Sequence, residues 1–177
     1  MDHSEMVALI ADGVATRAGT WAELGAGRGA FTAALRALLR STATIYAVDR
    51  DGNAVRHLRQ LAAMPGAAVV PQQADFTRPL QLPQLDGLFM ANALHFVPHQ
   101  QDVLAALCTH LRTGGRVLLV EYDLQRPTAW VPFPVPPARF EELATAVGLA
   151  APSVVGVRRS PSSGIAMYAA MAVKAVS

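Results

Sequence analysis

The chain has 177 residues, of which 52% are hydrophobic and 16% charged, and its formal net charge is +2. This apolar content excludes intrinsic disorder, and the length predicts one domain over residues 1–177. No apolar run approaches the roughly 20 residues of a membrane-spanning helix, and the N-terminal segment is acidic where a signal peptide is basic. We therefore expect a cytoplasmic protein that does not enter membranes.

Charge and cysteine content point to no special partner. The arginines are scattered without forming a basic stripe, which disfavours nucleic acid as a partner. Cys108, the single cysteine, lies in an apolar helical pattern, where a buried, unreactive thiol is more common than a nucleophile. No acid cluster has the geometry of a divalent-metal site, so we predict no metal.

The first two thirds of the sequence alternate helical patterns with short apolar strands. A first helix is expected over the apolar positions from Met6 to Val14, capped by Asp2 or Ser4. Strands then follow at 21–24, 44–48, 67–70, 85–91 and 117–120, with helices at about 31–39, 54–64 and 103–111 between them. We place the end of the last helix at Gly114 and Gly115. This alternation predicts an α/β fold in which helices cover both faces of a mostly parallel sheet.

The last third changes character. Five prolines crowd around Trp130 and Phe133 and exclude regular helix or central strand, so a loop is expected there. A helix from about Arg139 to Val147 follows it. Two strands, Val154–Val157 and Ile165–Val173, are joined by a turn over 160–164, so that the chain closes in a hairpin.

The segment Glu23-Leu24-Gly25-Ala26-Gly27-Arg28-Gly29 lies between a predicted strand and a predicted helix. Glycines there let the main chain approach a ligand closely, although a tight turn needed only for packing explains them as well. Asp49 ends the next strand about 20 residues further on, where an acid can accept ribose hydroxyls or cap a helix. Asp75 follows the third strand, where its carboxylate suits an adenine amino group and Phe76 offers a ring wall, although an Asp at such a position alone is more often an ordinary turn residue. At the ends of successive parallel strands, these acids converge on one sheet edge.

With these motifs the sequence resembles the class I S-adenosylmethionine-dependent methyltransferases from Met6 to Val173. Two later segments add to the resemblance, namely 90–96 after the fourth strand and the glycine turn and strand at 111–121. The resemblance implies a doubly wound, Rossmann-like sheet of seven strands in the order 3-2-1-4-5-7-6, with an antiparallel last strand.

The resemblance also implies S-adenosylmethionine as the cofactor and assigns residues to its parts. Asp49 would hold the ribose, Asp75 the adenine, and Asn92 would line the opening toward the acceptor. Glu23 would steady the loop or meet the amino group of the cofactor. The remaining expected cofactor-binding residues are Gly25, Gly27 and Gly29 under the methionine end, with Arg50 and Phe76 beside the acids.

A catalytic base is not essential, because the sulfonium is already activated and the enzyme mainly aligns the acceptor and excludes water. Three ionisable residues near strand ends are nevertheless candidates, with His95 first and Glu121 and Tyr122 after it. Each candidate has a structural alternative: His95 could simply pack, Glu121 could pair with a backbone donor, and Tyr122 could fill the core. The loop Trp130–Pro137 is expected either to wall an acceptor pocket or to be pinned against the sheet.

Two other functions stay open at this point. Gly25-x-Gly27-x-x-Ala30 satisfies the dinucleotide fingerprint, so an NAD(P)-dependent oxidoreductase is the second candidate, and a catalytically silent cofactor-binding subunit is the third. The segment 92–95 lacks the prolines and the aromatic ring that adenine-directed nucleic-acid enzymes use to stack a flipped base. We therefore expect a small-molecule acceptor, and we leave a homodimer open.

Overall fold

The computed structural model describes residues 1–14, 18–160 and 163–175, which contain five α-helices and seven strands. In chain order these are α1 (His3–Ile10), β1 (Thr20–Leu24), α2 (Ala30–Leu38), β2 (Thr44–Asp49), α3 (Gly52–Ala62), β3 (Ala68–Gln73), β4 (Leu85–Ala91), α4 (Gln100–Cys108), β5 (Leu111–Tyr122), α5 (Pro137–Ala146), β6 (Leu149–Arg159) and β7 (Ala166–Lys174). Short 3₁₀ turns lie at Ala11–Gly13 and Leu94–Phe96.

All seven strands form one sheet in the order β3-β2-β1-β4-β5-β7-β6. Strands β1 to β5 run parallel, whereas β7 is antiparallel to both β5 and β6. The predicted α/β class, strand order and reversed strand are thereby confirmed. Because β1 to β5 share one direction, the residues that follow them meet at one edge of the sheet.

Helices cover the sheet on both faces, as the buried central strand β5 illustrates. Successive side chains of a strand point to opposite faces. Leu118 and Val120 accordingly pack in the core cluster that contains Leu35 of α2, whereas Val117 and Leu119 pack in the cluster that contains Phe140 of α5. The site edge is therefore held by a sheet with a core on each side.

The predicted end of α4 at Gly114 and Gly115 is wrong, because the helix ends at Cys108 and both glycines lie inside β5. Leu85 pairs with Leu111 and Gly87 with Arg116, so β5 carries extra residues opposite β4. A Cβ at Gly115 would lie only 2.8 Å from the Arg112 carbonyl oxygen. These glycines serve a β-bulge instead of a helix terminus.

Smaller differences concern element ends. The first helix stops at Ile10, before the 3₁₀ turn, and Asp2 caps it by accepting a hydrogen bond from the Glu5 amide. Strand β6 runs from Leu149 to Arg159, well beyond the apolar stretch that predicted it, because an edge strand with much exposed surface accepts polar residues. The predicted turn over 160–164 includes residues 161 and 162, which lie outside the described residues.

Candidate active site

The glycine loop between β1 and α2 is tied to the end of β2. The Gly25 and Ala26 amides donate to the Val48 carbonyl oxygen at 2.9 and 3.0 Å. The Gly27 amide donates to Asp49 Oδ2 at 2.7 Å. The loop and the acid of the neighbouring strand therefore form one hydrogen-bonded unit.

Gly25 is required on two grounds. Its φ of +73° lies in the left-handed region that favours glycine. A Cβ at this position would stand 2.7 Å from Ala93 Cβ and 3.4 Å from Phe76 Cε1. Bare main chain thus lies where the loops after β3 and β4 meet the glycine loop.

Asp49 and Asp75 are both held by main-chain donors. Asp49 Oδ1 accepts from the Asp51 amide at 2.9 Å, and Asp51 itself caps α3, so Asp49 is not the helix cap. Asp75 Oδ1 accepts from the Thr77 hydroxyl at 2.7 Å and the Thr77 amide at 2.9 Å. These two bonds, assisted by the charge of Arg78, hold the pKa of Asp75 below its usual value. Asp75 is therefore a carboxylate at neutral pH.

Glu23 is buried near the end of β1. Burial raises the pKa of Glu23 to about 8, because desolvation disfavours its charged form more than the Thr32 hydroxyl favours it. Within the described residues, Glu23 Oε2 has no hydrogen-bond partner. A buried carboxyl group that is protonated at neutral pH therefore lies directly before the glycine loop.

A cleft of about 230 Å³ opens at the carboxyl edge of the sheet. It brings together the predicted residues Gly25, Asp49, Arg50, Asp75, Phe76 and Asn92. The predicted Glu23, Gly27 and Gly29 are not among its lining residues; Gly29 instead precedes α2 as its N-cap, with a φ of +88°.

Asn92 carries an unusual backbone at the end of β4. Its φ is +52°, a left-handed conformation that asparagine tolerates better than most residues, and its amide donates to the Val120 carbonyl oxygen at 2.8 Å. In the described part of the chain, Asn92 Oδ1 is buried without a hydrogen-bond partner. The combination of a strained backbone and an unused polar atom is common at ligand sites.

The predicted catalytic residues His95 and Glu121 form a buried pair. His95 Nδ1 and Glu121 Oε2 are 2.5 Å apart, and the His95 amide donates to Glu121 Oε1 at 3.2 Å. Glu121 therefore also accepts a hydrogen bond from a backbone amide, which is the structural alternative predicted for it. The Tyr122 ring centroid lies 6.4 Å from that of His95. None of the three lines the cleft. His95 is buried beside Phe96, which does line it, and the centroids of the two rings are 4.2 Å apart.

The predicted loop Trp130–Pro137 has a pinned main chain. Val131 and Val135 are buried, and the Phe133 amide donates to the His95 carbonyl oxygen at 3.0 Å. The Tyr168 hydroxyl donates to the Val135 carbonyl oxygen at 2.5 Å. Trp130 nevertheless points its ring outward, where it contacts Tyr122 edge-on at 4.9 Å. The loop is pinned to the sheet and also presents exposed rings.

A family model described as a methyltransferase domain matches residues 22–119, more than half of the chain. The chain belongs to the methyltransferase domain family. This membership confirms the predicted family. No curated protein sequence matches the chain significantly.

Solved structures share the fold of this methyltransferase domain at low sequence identity. The YcgJ protein of Bacillus subtilis is 12% identical with a TM-score of 0.76, covering 99% of this chain and 100% of its own. A 1,6-didemethyltoxoflavin-N1-methyltransferase of Burkholderia thailandensis is 19% identical, with a TM-score of 0.76, over 98% of this chain and 78% of its own. Human N-acetylserotonin methyltransferase is 18% identical, with a TM-score of 0.71, over 98% of this chain and 52% of its own. The chain thus spans about half of the human enzyme.

The oxidoreductase alternative does not fit this methyltransferase domain. Dinucleotide-binding sheets of the common doubly wound type are parallel in the order 3-2-1-4-5-6. Here the antiparallel β7 lies between β5 and β6. The shared fingerprint reflects a strand-glycine-helix turn that both folds use.

Sequence reasoning missed several residues of the site. Thr77, Ala93, Phe96 and Val97 also line the cleft. Thr77 had a usable signal, because an Asp with Ser or Thr two residues later often forms a side-chain-closed turn. Phe96 had none, since its exposure depends on how the turn after β4 packs.

Two further predictions concern the rest of the methyltransferase domain. Cys108 is buried, and desolvation raises the pKa of its thiol to about 11, which keeps it protonated and unreactive. None of the helices in the described ranges is long and apolar enough to cross a membrane.

Proposed function

We propose that residues 1–177 form one enzyme domain that methylates a small molecule with S-adenosylmethionine as the donor. The observation that carries this proposal is the cleft in which Asp49 and Asp75, from consecutive strand ends, face the bare main chain of Gly25. When bound, S-adenosylmethionine would supply a methyl group already activated as a sulfonium.

The two acids suit the nucleoside part of that donor. A carboxylate has about four acceptor positions, and the bonds from Gly27 and Asp51 leave positions of Asp49 for ribose hydroxyls. Asp75 is kept ionised by Thr77, so it is an acceptor for the adenine amino group. Phe76 lines the same cleft and would flank the adenine ring.

The orphaned acceptors suit the amino-acid part. Glu23 Oε2 and Asn92 Oδ1 are buried without partners among the described residues. An unsatisfied buried polar group costs about 1–3 kcal/mol, so a ligand that donates to these oxygens recovers that energy. An ammonium group is such a donor for Asn92, which lines the cleft, and for Glu23 once that carboxyl group releases its proton, so the residues present fit the proposed cofactor.

A small acceptor is supported by the size of the site and by relatives. The cleft is about 230 Å³, and the chain's arginines form no basic stripe. The Burkholderia enzyme was solved with 1,6-didemethyltoxoflavin, and the human enzyme is named for N-acetylserotonin, both small molecules. We propose that the acceptor of this chain is likewise a small molecule.

His95 is our candidate proton acceptor, with Glu121 as its positioning residue. Glu121 occupies the Nδ1 side of the imidazole, and no hydrogen bond from Nε2 to the described residues is seen. The imidazole is buried behind the Phe96 ring, so Nε2 would take the proton that the acceptor loses when that ring moves aside. Tyr122 borders this group on the side of β5.

The test is calorimetry with S-adenosylhomocysteine and, separately, with NADH, followed by a labelled-methyl screen of small phenols, amines and carboxylates. We expect the purified chain to bind S-adenosylhomocysteine, to leave NADH unbound and to methylate one acceptor class. Tight NADH binding alone would support the oxidoreductase alternative. Cofactor binding without transfer to any acceptor would identify a catalytically silent subunit.

A further inference from the structure

Three aromatic residues of the described part of the chain are exposed, and each lies beside His95 or Tyr122, Phe133 through its main chain. Phe96 is 58% exposed, Trp130 43% and Phe133 40%, whereas the other large exposed hydrophobic residues are aliphatic. Exposed apolar surface of this kind usually marks a binding site. We call Phe96, Tyr122, Trp130 and Phe133 the aromatic collar.

The collar adjoins the proposed donor site. Phe96 lines the cleft together with Asn92. The ring centroids of Phe96 and His95 are 4.2 Å apart. Those of His95 and Tyr122 are 6.4 Å apart, and those of Tyr122 and Trp130 are 4.9 Å apart. The rings thus form a continuous series from the cleft outward, with the His95 imidazole between Phe96 and Tyr122.

The main chain that carries the collar is fixed before any ligand arrives. The Gln100 side chain donates to the Phe133 carbonyl oxygen at 2.8 Å, and the Phe133 amide donates to the His95 carbonyl oxygen. The Val131 amide donates a further hydrogen bond to the Thr128 hydroxyl oxygen at 3.0 Å. A ligand that binds such a fixed wall loses little energy in ordering it.

We propose that the acceptor is an uncharged, planar aromatic molecule that packs against the aromatic collar and presents an O–H or N–H group to the buried His95 Nε2 when the exposed Phe96 ring, which lies between His95 and the cleft, moves aside. Ring faces prefer aromatic partners beyond the gain from burial alone, and the collar offers no charged side chain to an anion. In the transfer, the acceptor O–C or N–C bond forms, the S–C bond breaks, and the proton passes to His95 Nε2. This inference rests on the proposed function.

The test compares 2-naphthol with its saturated counterpart, decahydro-2-naphthol, by calorimetry on the chain loaded with S-adenosylhomocysteine. The aromatic compound should bind about tenfold more tightly. Trp130→Ala should weaken 2-naphthol binding about three- to tenfold, and Trp130→Phe should restore most of it. Met64→Ala, at a residue 60% exposed and outside the collar, is the matched control and should change nothing.

The outcomes separate the two proposals. Equal binding of the two compounds, or a Trp130→Ala variant that binds 2-naphthol normally, overturns the collar inference while S-adenosylhomocysteine binding upholds the donor site. Loss of self-association in Trp130→Ala, with unchanged naphthol binding, would make the collar an interface between copies and also overturn it. If S-adenosylhomocysteine itself does not bind, both proposals fall.

Discussion

The donor and acceptor halves of the cleft are built by different means. At the ends of β1 to β3, carboxylates and main-chain amides bond to one another within the loops that follow each strand. At the ends of β4 and β5, the buried hydrogen-bonded pair His95–Glu121 and a pinned loop hold exposed rings. The first half is a polar frame for a fixed ligand, and the second is a shaped apolar surface.

This difference separates what each half contributes. Hydrogen-bonded loops set the position of one ligand narrowly, whereas ring surfaces discriminate by shape and are altered by exchanging single side chains. We therefore expect substitutions in one half to leave the binding function of the other largely intact, and the following predictions test that separation.

The largest expected effect is on stability, from breaking the buried pair in the acceptor half. Glu121→Ala should lower the free energy of unfolding by about 3–5 kcal/mol, because it leaves the buried His95 imidazole and its amide without their partner. Urea denaturation measures this loss. The double variant His95→Phe with Glu121→Leu should be less destabilised than Glu121→Ala.

The matched control for that pair is the exposed ion pair Arg139–Glu142, in which Nη1 of the arginine lies 3.0 Å from Oε2 of the glutamate. Glu142→Ala should cost less than about 1 kcal/mol, because solvent screens an exposed pair. Similar losses for the two variants would mean that burial gives the His95–Glu121 pair no special role.

The second prediction concerns the donor half. Asp49→Ala should weaken S-adenosylhomocysteine binding about 100-fold, because it removes the ribose acceptor and frees the Gly27 amide. Asp51→Ala, two residues away, removes the cap of α3 and should cost about 1 kcal/mol of stability. Calorimetry on both variants should show that only the first loses the cofactor, and equal losses would contradict the assignment of Asp49.

The third prediction concerns the pH dependence of stability due to Glu23. Its folded-state pKa of about 8 lies above the ordinary 4.5, so the unfolded chain binds fewer protons between these values and stability falls as pH rises through that window. Glu23→Gln should remove this fall, because an amide does not titrate, so the stability advantage of the variant over the parent chain should grow as the pH rises from 4.5 toward 8.

Thermal denaturation of both proteins from pH 4.5 to 8.5 gives the comparison, with the exposed Glu141→Gln as the control. Parallel curves for the parent chain and Glu23→Gln would show that Glu23 is ionised in the fold. Proton release on S-adenosylhomocysteine binding, measured in two buffers, would favour contact with the ammonium over a loop-steadying role.

The donor half was predictable because its cofactor-binding residues lie at strand ends or directly after them. Gly25, Asp49 and Asp75 each stand within two residues of a strand end, and parallel strands bring such positions to one edge. The strand order came from the family resemblance. The bulge at Gly114 was missed because a glycine pair after a helical pattern has the same appearance as a helix terminus.

The acceptor half was predictable only in part. His95 and Glu121 were singled out one by one, but their contact joins residues 26 apart in the chain and depends on how the turn after β4 packs. Pinning of the Trp130 loop depends on Tyr168 and Gln100, which no local pattern connects to it. Tertiary contacts of this kind carry no short-range sequence signal.

The most direct test of the central claim is a crystal structure of the chain with S-adenosylhomocysteine. We predict that the ribose hydroxyls lie on the Asp49 carboxylate, the adenine beside Phe76 and Asp75, and the amino-acid tail over the main chain of Gly25. A ligand bound anywhere else, or a cleft filled by the side chains of the protein itself at saturating ligand, would contradict the account.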